Sequence, residues 1–365
     1  ARSRSEADWL VGINGTRAMT AFNSRDGGFF LTTVGRVQTP TLSIVVEREE
    51  KIRKHVSRPY WEVKATFAAQ AGEYEGKCFD PKFKKDEDAD RRADRLWNEP
   101  DAQAIAQACR GQPATVTEEA KPSSQASPLL YDLTTLQREA NSRFGFSAKT
   151  TLSLAQALYE KHKVLTYPRT DSRALPEDYV KVVKDTMTML AKEDLPAPLR
   201  PLAAHAKTAL KEGYVKPIKR VFDNAKVSDH FAIIPTLQAP KSLSEIEAKL
   251  YDLVVKRFLA VFFPSAESMV TTRISTVTVG DKEHKFQTNG KVLVKPGWLA
   301  VYGKEAQEDD ANLVAVAPGE VVRTESVDVN ALKTKPPARY TEATLLSAME
   351  GAGKLIDDDD MREAM

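Results

Sequence analysis

The sequence of 365 residues contains only two cysteines, Cys78 and Cys109. Two cysteines exclude a disulfide framework and a four-cysteine zinc site, and they fit the reducing cytoplasm. No apolar run approaches the roughly 18 residues that a membrane-spanning helix needs, and no signal-peptide pattern is visible. The sequence therefore predicts a cytoplasmic protein with no membrane segment.

Motifs for nucleotide hydrolysis and for metal binding are also missing. There is no phosphate loop of the Gly-x-x-x-x-Gly-Lys type, which argues against a motor driven by nucleoside triphosphates. There is no set of histidines and cysteines at ligand spacing. The acidic run from Asp357 to Asp360 is interpreted as a solvated loop or helix start, because adjacent carboxylates repel and do not converge. No metal site is predicted in this chain.

The overall charge carries little information about partners. A hydrophobic content of 42%, a charged content of 28% and a net charge of +2 are typical of a soluble globular protein. The length is sufficient for two or three domains, each with its own core. Basic residues do gather at two places, where local positive charge would suit a nucleic-acid groove: Lys161, Lys163, Arg169 and Arg173, and then Lys216, Lys219 and Arg220.

Apolar spacing predicts a chain in which β-rich stretches flank a helical block. Helices are predicted over most of residues 1–57, over 86–111 with a break at Pro100, and in a helix-turn-helix-like unit about Gly145. Strands are predicted at 61–67, 72–80, 115–118 and through 270–329, with turns at Gly280 and at Asn289-Gly290. Residues 121–128 are predicted to be a linker by composition, and residues 335–337 a hinge.

Residues 165–172, Leu-Thr-Tyr-Pro-Arg-Thr-Asp-Ser, carry the most informative pattern. Pro168 pushes Tyr167 towards an extended backbone, so the phenol is expected on a turn. An unperturbed phenol has a pKa of about 10 and is a weak nucleophile at neutral pH. Arg169 could supply the positive charge that a phenolate attack on a phosphodiester requires. The alternative interpretation is a partly buried tyrosine, with Arg169 paired to Asp171.

Residues 164–176 resemble the active-site motif of type IA DNA topoisomerases. Three further stretches resemble the same family, in the family's order: residues 34–49, which include Gly-Arg-Val-Gln-Thr-Pro, residues 229–236, Asp-His-Phe-Ala-Ile-Ile-Pro-Thr, and residues 340–349. Residues 8–17 are also similar to the family near its start. Within these stretches, the sequences Tyr-Pro-Arg and Ile-Ile-Pro-Thr favour the topoisomerase III branch of the family.

The resemblance implies a multidomain α+β fold, with mainly helical domains of CAP or winged-helix type joined by a β-rich arch into a toroid. It implies the following division: residues 1–57, helical, part of domain IV; 58–127, the first part of the arch, domain II; 128–235, the helical domain III that carries Tyr167; 236–335, the second part of the arch; and 336–365, a return to domain IV. The chain is expected to lack the family's N-terminal TOPRIM domain and its C-terminal end.

The resemblance also implies roles for individual residues. Tyr167 would become joined to the 5′ phosphate of a cut strand, Arg169 would hold that phosphate, and His230 would donate to a phosphate oxygen or pass a proton to the leaving 3′ oxygen. Arg36 and Gln38 resemble the strand-binding segment; their alternative role is a helix-entry turn before Pro40. The full set of expected DNA contacts is Arg17, Arg36, Gln38, Lys163, Thr170 and Ser172.

The implied activity is ATP-independent cleavage of one DNA strand, strand passage and resealing. Magnesium is expected in the full enzyme, with its ligands in TOPRIM, and no cofactor is expected in this chain. Single-stranded DNA is the expected partner of a monomer, and the chain alone is expected not to relax DNA. Two alternatives remain: a single-stranded-DNA-binding module that does not cut, and a tyrosine recombinase. In the recombinases the tyrosine follows the other catalytic residues, whereas Tyr167 precedes His230.

Overall fold

The computed structural model describes residues 2–192, 199–306 and 313–352. Two compact units result: a terminal unit of residues up to 57 together with those from 335 onwards, and a central unit of residues 58–334. The acidic run at Asp357–Asp360 lies outside the described residues. The fold is α+β, because helices build the terminal unit whereas the central unit combines helices with a sheet.

The described residues of the terminal unit form three helices, α1 (Arg2–Asn23), α2 (Gln38–Lys54) and α9 (Glu342–Glu350). The segment between α1 and α2 returns along α1, where the Thr16 hydroxyl accepts a hydrogen bond from the Val34 amide at 3.0 Å. Gly15 permits this approach, since a Cβ there would lie 2.9 Å from a methyl of Val34. On α2 only Ile44 is buried, whereas Leu42, Val45 and Val46 are exposed.

Six antiparallel strands of the central unit close into a barrel in the order β1-β2-β5-β4-β3-β6. Their bounds are β1 Pro59–Ala69, β2 Gly72–Phe79, β3 Pro113–Gln125, β4 Ala266–Val279, β5 Lys282–Lys295 and β6 Val321–Lys333. Alternating residues such as Val63, Ala65 and Phe67 fill the interior. Helix α3 (Glu99–Cys109) packs against the same core through Ala102, Ala106 and Cys109.

Three predictions of secondary structure about the barrel are wrong. The expected linker at 121–128 is strand as far as Gln125, because its backbone pairs with residues 266–270 of β4 despite its turn-like composition. The expected turn at Asn289-Gly290 lies within β5, opposite Thr272 and Thr271. Residues 86–98 are not helical, because Asp88 and Asp90 bind Arg58 and Asp94 binds Lys77; the helix begins only at Glu99.

A helical region within the central unit carries Tyr167. Its helices are α4 (Leu133–Phe144), α5 (Ala148–Glu160), α6 (Val180–Leu190), α7 (Arg200–Lys211) and α8 (Glu245–Ala260). The helix-turn-helix prediction is confirmed: α4 ends at Gly145 in the left-handed conformation (φ 69°), and the Ser147 hydroxyl caps α5. At the start of α8, Ser244 and Glu247 form a capping box.

The helical region joins the barrel at neighbouring strand ends. Gln125 at the end of β3 pairs with Ala266 at the start of β4, and Glu267 pairs with Lys295 at the end of β5. The indole nitrogen of Trp298, which follows β5, donates to the Gln125 carbonyl at 2.8 Å. Helix α8 and Trp298 belong to the same core as α4 to α7. Residues 236–335, expected to form the second part of the arch, therefore also contribute to the helical core.

Candidate active site

Tyr167 directly follows one of two chain segments that pair side by side. The Thr166 amide donates to the Ile234 carbonyl at 3.0 Å, and the Thr166 hydroxyl accepts from the Ile234 amide at 2.9 Å. The same hydroxyl donates to the carbonyl of Ala232 at 3.0 Å. Leu165 and Pro235 form an isolated β-bridge next to these bonds. The pairing fixes the register of the two segments, so that the segment preceding Ala232 runs beside the one that follows Thr166.

The rings of Tyr167 and His230 are in contact as a result. Their centroids lie 4.2 Å apart with an interplanar angle of 41°. Tyr159, on the last turn of α5, meets Tyr167 edge-on with centroids 5.4 Å apart. Tyr167 is half-buried between these two rings, whereas His230 is exposed. Within the described residues the Tyr167 oxygen has no hydrogen-bond partner, so the phenol is held by its ring alone.

Arg169 is exposed, and its guanidinium pairs with no carboxylate in the described ranges 2–192, 199–306 and 313–352. The alternative interpretation of the sequence paired it with Asp171, but the nearest recorded partner of Asp171 is the Ser228 hydroxyl at 3.4 Å. A guanidinium without a protein partner retains all its donors for a ligand. Arg169 thus stands two residues from Tyr167 with its charge uncompensated by an ion pair.

The hydroxyls of Thr170 and Ser172 form hydrogen bonds that fix the loop following Tyr167. The Thr170 hydroxyl donates to the His230 carbonyl at 3.1 Å and accepts from the Ser172 amide at 3.1 Å. The Ser172 hydroxyl donates to the Lys226 carbonyl at 2.7 Å. Both side chains are buried, at 8% and 4% exposure. Their predicted contact with DNA stays a prediction, and in this structure their hydroxyls are engaged by the protein itself.

Lys163, four residues before Tyr167, has a backbone conformation that non-glycine residues seldom adopt. Its φ is +58°, and its carbonyl accepts a hydrogen bond of 2.7 Å from Thr236. A long side chain in this left-handed region is uncommon. The exposed ammonium of Lys163 lies 5.8 Å from the centre of the Tyr159 ring. The structure thus brings six of the predicted residues together on two adjacent segments of the helical region, with the last two of them buried: Lys163, Tyr167, Arg169, His230, Thr170 and Ser172.

The other three predicted residues belong to the terminal unit. Arg17 is exposed on α1, and Gln38 is exposed at the first position of α2. Arg36 forms two hydrogen bonds with the Asp8 carboxylate, at 2.9 and 3.0 Å. These hydrogen bonds and the charge of Asp8 raise the pKa of the exposed Arg36 guanidinium. A phosphate that binds Arg36 must therefore compete with Asp8.

Ionisable groups beside the loop show moderate shifts of pKa. Burial, followed by the charge of Asp178, raises the pKa of Tyr179, whose ring lies 4.7 Å from that of Phe231. The pKa of Glu247 is lowered, first by the hydrogen bond from the Ser244 amide and also by His162 at 3.1 Å. Among the described side chains, no group of three or more His, Cys, Asp or Glu residues could hold a metal ion.

Sequence reasoning missed two residues that position Tyr167. Tyr159 is one of them, and its contact with Tyr167 depends on the turn between Lys161 and Val164. Thr166 was read as part of the motif without a role, although its hydroxyl bonds both Ala232 and Ile234. A threonine directly before the tyrosine is the only signal that the sequence offered for this second case.

Comparison with known proteins gives consistent matches along the whole chain. A family model described as DNA topoisomerase matches residues 1–353. Proteins named DNA topoisomerase 3 are similar: one from Bacillus licheniformis is 40% identical over 98% of this chain and 46% of its own length, and one from Salmonella typhimurium is 36% identical over 100% of this chain and 55% of its own length. The chain thus spans about half the length of these relatives.

Structural comparison agrees with the sequence matches. Full-length topoisomerase I from Thermotoga maritima superimposes with a TM-score of 0.65 at 25% identity, covering 94% of this chain and 52% of that chain. In the described parts of this chain, no helix is both long enough and apolar enough to cross a membrane.

Proposed function

This chain belongs to the DNA topoisomerase family, and we propose that Tyr167 is the nucleophile of a type IA, topoisomerase III-like strand cleavage. The observation that carries the proposal is the contact of the Tyr167 and His230 rings at 4.2 Å, beside the unpaired Arg169. On two adjacent segments, a phenol, an imidazole and a guanidinium can supply the nucleophile, the proton donor and the phosphate-binding cation for transfer of a phosphodiester to tyrosine.

The proposed step exchanges one phosphate ester for another. The Tyr167 oxygen attacks the phosphorus, the bond from phosphorus to the 3′ oxygen breaks, and a 5′-phosphotyrosine forms. The phenolic proton passes to solvent or a nearby base, and the departing 3′ oxygen takes up a proton. Resealing is the reverse transfer. The number of phosphoester bonds is unchanged, so no ATP is needed to restore the strand.

Arg169 is proposed to bind the non-bridging oxygens of the scissile phosphate. Its guanidinium can donate two parallel hydrogen bonds, which fix the orientation of the phosphate as well as neutralising its charge. The absence of an ion pair to Asp171 supports this role, since no carboxylate has to be displaced first. In the transition state, where negative charge on the phosphoryl oxygens rises, the same donors act most strongly.

His230 is proposed to act beside the Tyr167 ring, which its imidazole contacts. Its imidazole is exposed and therefore accessible to a bound strand, and it has two possible roles: donation to a phosphate oxygen, or transfer of a proton to the 3′ oxygen. The bond from Thr170 to the His230 carbonyl supports either role, because it fixes the main chain from which the imidazole extends.

Partners and surroundings complete the proposal. We propose single-stranded DNA as the substrate of a monomer, with Arg17, Arg36 and Gln38 of the terminal unit as further strand contacts. The described residues offer no metal-ligand cluster, so any magnesium of the full reaction is assigned to residues other than these. The free thiols of Cys78 and Cys109 are compatible with the reducing cytoplasm.

Trapping of a covalent adduct tests the proposal. The experiment uses a chain extended to the full length of its relatives and a labelled oligonucleotide. After the protein is denatured with detergent, the oligonucleotide should remain joined to it, and mass spectrometry should locate the adduct on Tyr167. The Tyr167→Phe variant, which keeps the ring but loses the attacking oxygen, should give no adduct and bind DNA within about twofold of the parent. An adduct that persists in this variant would assign the chemistry to another residue. DNA binding without any adduct in the parent would favour the alternative, a binding module.

A further inference from the structure

The exposed face of α5 forms a groove that leads away from the Tyr167 loop. Lys149, Ser153, Gln156 and Glu160 recur three or four residues apart, so they share one face of the helix. Lys161, just after the end of α5, and Arg169, on the loop of Tyr167, line the same groove. With a rise of about 1.5 Å per residue, the distance from Lys149 to Lys161 is roughly 18 Å.

The charge of this groove is positive and largely uncompensated. Lys149, Lys161 and Arg169 are exposed, and none of them forms an ion pair within the portions of the chain that the structure describes. The single carboxylate in the lining, Glu160, accepts a hydrogen bond from the side-chain amide of Gln156 at 2.9 Å. Elsewhere on the surface of the helical region some lysines do form ion pairs, as Lys181 does with Asp185 and Lys249 with Glu245. The groove lysines do not.

Two of the residues that line the groove between the cations are small. Ser153 and Ala157 present little bulk, so an extended chain could approach the helix closely between Lys149 and Lys161. Positive side chains spaced along a groove with a polar floor match a phosphodiester backbone, which carries one charge per nucleotide and presents acceptor oxygens only. A protein partner of similar charge would need an acidic segment, and nothing else in the groove favours one.

We infer that this groove, from Arg169 along α5 to Lys149, binds the phosphodiester backbone of the DNA strand next to the phosphate held at Tyr167. The inference rests on the proposed function, because Arg169 is common to the groove and to the proposed active site. It adds Lys149 and Lys161 as phosphate contacts and makes α5 a track for the strand.

Salt-dependent binding tests the two lysines. Binding of a fluorescent dT12 oligonucleotide to this chain should be measured by anisotropy over a range of salt concentrations. The double variant Lys149→Gln, Lys161→Gln should bind more weakly, and its slope of log K against log salt should be shallower by about 1.4, since each lost contact to a single strand removes about 0.7. The control Lys184→Gln, Lys211→Gln removes the same charge from α6 and α7, where both lysines are exposed, and should leave the slope unchanged.

Protection of an introduced thiol tests the path of the strand. Ser153→Cys should be alkylated by iodoacetamide at least fivefold more slowly with saturating dT12, whereas Ser142→Cys on α4, also exposed, should react at the same rate with and without DNA. The native thiols should give little background near pH 7.5, because burial raises the pKa of Cys78 to about 12 and that of Cys109 to about 11.

The outcomes separate this inference from the proposed function. If dT12 binds but the groove and control variants behave alike, or if Ser153→Cys is not protected, the groove inference is wrong while adduct formation at Tyr167 can still succeed. If the chain does not bind dT12 even at low salt, both the inference and DNA binding by this chain are contradicted. A shallower slope together with protection of Ser153→Cys supports the track.

Discussion

The hydroxyl of Thr170 donates a hydrogen bond of 3.1 Å to the main-chain carbonyl of His230, sixty residues further along the chain. Through this bond the segment that carries Tyr167 and Arg169 fixes the backbone of the segment that carries His230. The hydroxyl also accepts from the Ser172 amide, so one buried side chain connects three points of the site.

Removal of that hydroxyl should destabilise the helical region. We expect Thr170→Val to lower the free energy of unfolding by about 1–3 kcal/mol, because the His230 carbonyl and the Ser172 amide lose their partner. Thr170→Ser keeps the hydroxyl and should lie within about 0.5–1 kcal/mol of the parent, since only a methyl group is lost. Urea denaturation of both variants measures the difference; a valine variant as stable as the parent would mean that these hydrogen bonds contribute little to stability.

Arg169 should be needed for cleavage far more than for folding. Arg169→Ala should slow adduct formation about 100- to 1000-fold, the cost of losing donors that stabilise transition-state charge. Arg169→Lys keeps the charge but not the two-point geometry and should recover only part of the rate. The urea midpoint should be the same in both variants, because the side chain is exposed and has no described ion pair. A lysine variant with the parental rate would contradict two-point binding of the phosphate.

A buried ion pair behind the site offers a contrasting prediction about stability. Arg257 binds Glu139 and the Leu129 carbonyl, and it lies over the Tyr131 ring at 4.2 Å. Arg257→Met should destabilise the protein by about 2–4 kcal/mol, because the mostly buried Glu139 keeps only its ion pair with Arg143 and loses the one with Arg257. Adding Glu139→Gln should restore part of that loss. If the double variant is no more stable than Arg257→Met, the incompletely paired carboxylate is not the cause.

His205 should make stability depend on pH. Burial lowers the pKa of His205, which packs near the Phe263 ring. Near pH 6 the unfolded chain then binds more protons at this position than the folded chain does, so the free energy of unfolding falls as the pH decreases below about 6.5. His205→Gln should show a smaller loss of stability between pH 7.5 and pH 5.5. Parallel curves for the two proteins would remove His205 as the source.

Strand state and salt should both control binding of DNA. A strand must be unpaired to bend onto Tyr167, so a single strand should bind this chain more tightly than a blunt duplex of the same length. Affinity for the single strand should fall linearly on a plot of log K against log salt, because phosphate contacts release counterions. Competition at matched salt measures the preference, and equal affinity for both forms would count against it.

Local chemistry explains which features the sequence could reveal. The caps at Ser147 and Ser244 and the left-handed Gly145 were predictable, because each depends on neighbours within four residues. The linker expected at 121–128 failed because pairing with β4, far along the chain, overrides a turn-like composition. The helix predicted at 86–98 is wrong for a similar reason, since Asp88 and Asp90 bind the distant Arg58 in a segment that is not helical.

The same distinction between local and distant interactions applies to the active site. The motif around Tyr167 and the position of His230 could be predicted from the sequence, whereas the contact of their rings depends on the pairing of Thr166 with Ile234. The exposure of Arg169 and the burial of Thr170 could not be inferred from residue type, because both residues are polar and adjacent. The five-part division of domains and the individual roles of the site residues stay predictions.

The attachment of the helical region has a mechanical consequence. Its connections to the barrel leave from neighbouring ends of β3, β4 and β5, where Gln125 pairs with Ala266 and Glu267 with Lys295. A pull on the helical region along the strand axes therefore displaces these three strands together and does not shear the ladders between them. The load falls instead on the pairings at the two margins of the group, β3 with β6 and β5 with β2. Each of these pairings has only three residue pairs, at Pro113–Thr115 and at Lys77–Phe79. These two short pairings are thus where the barrel would yield first under such a load.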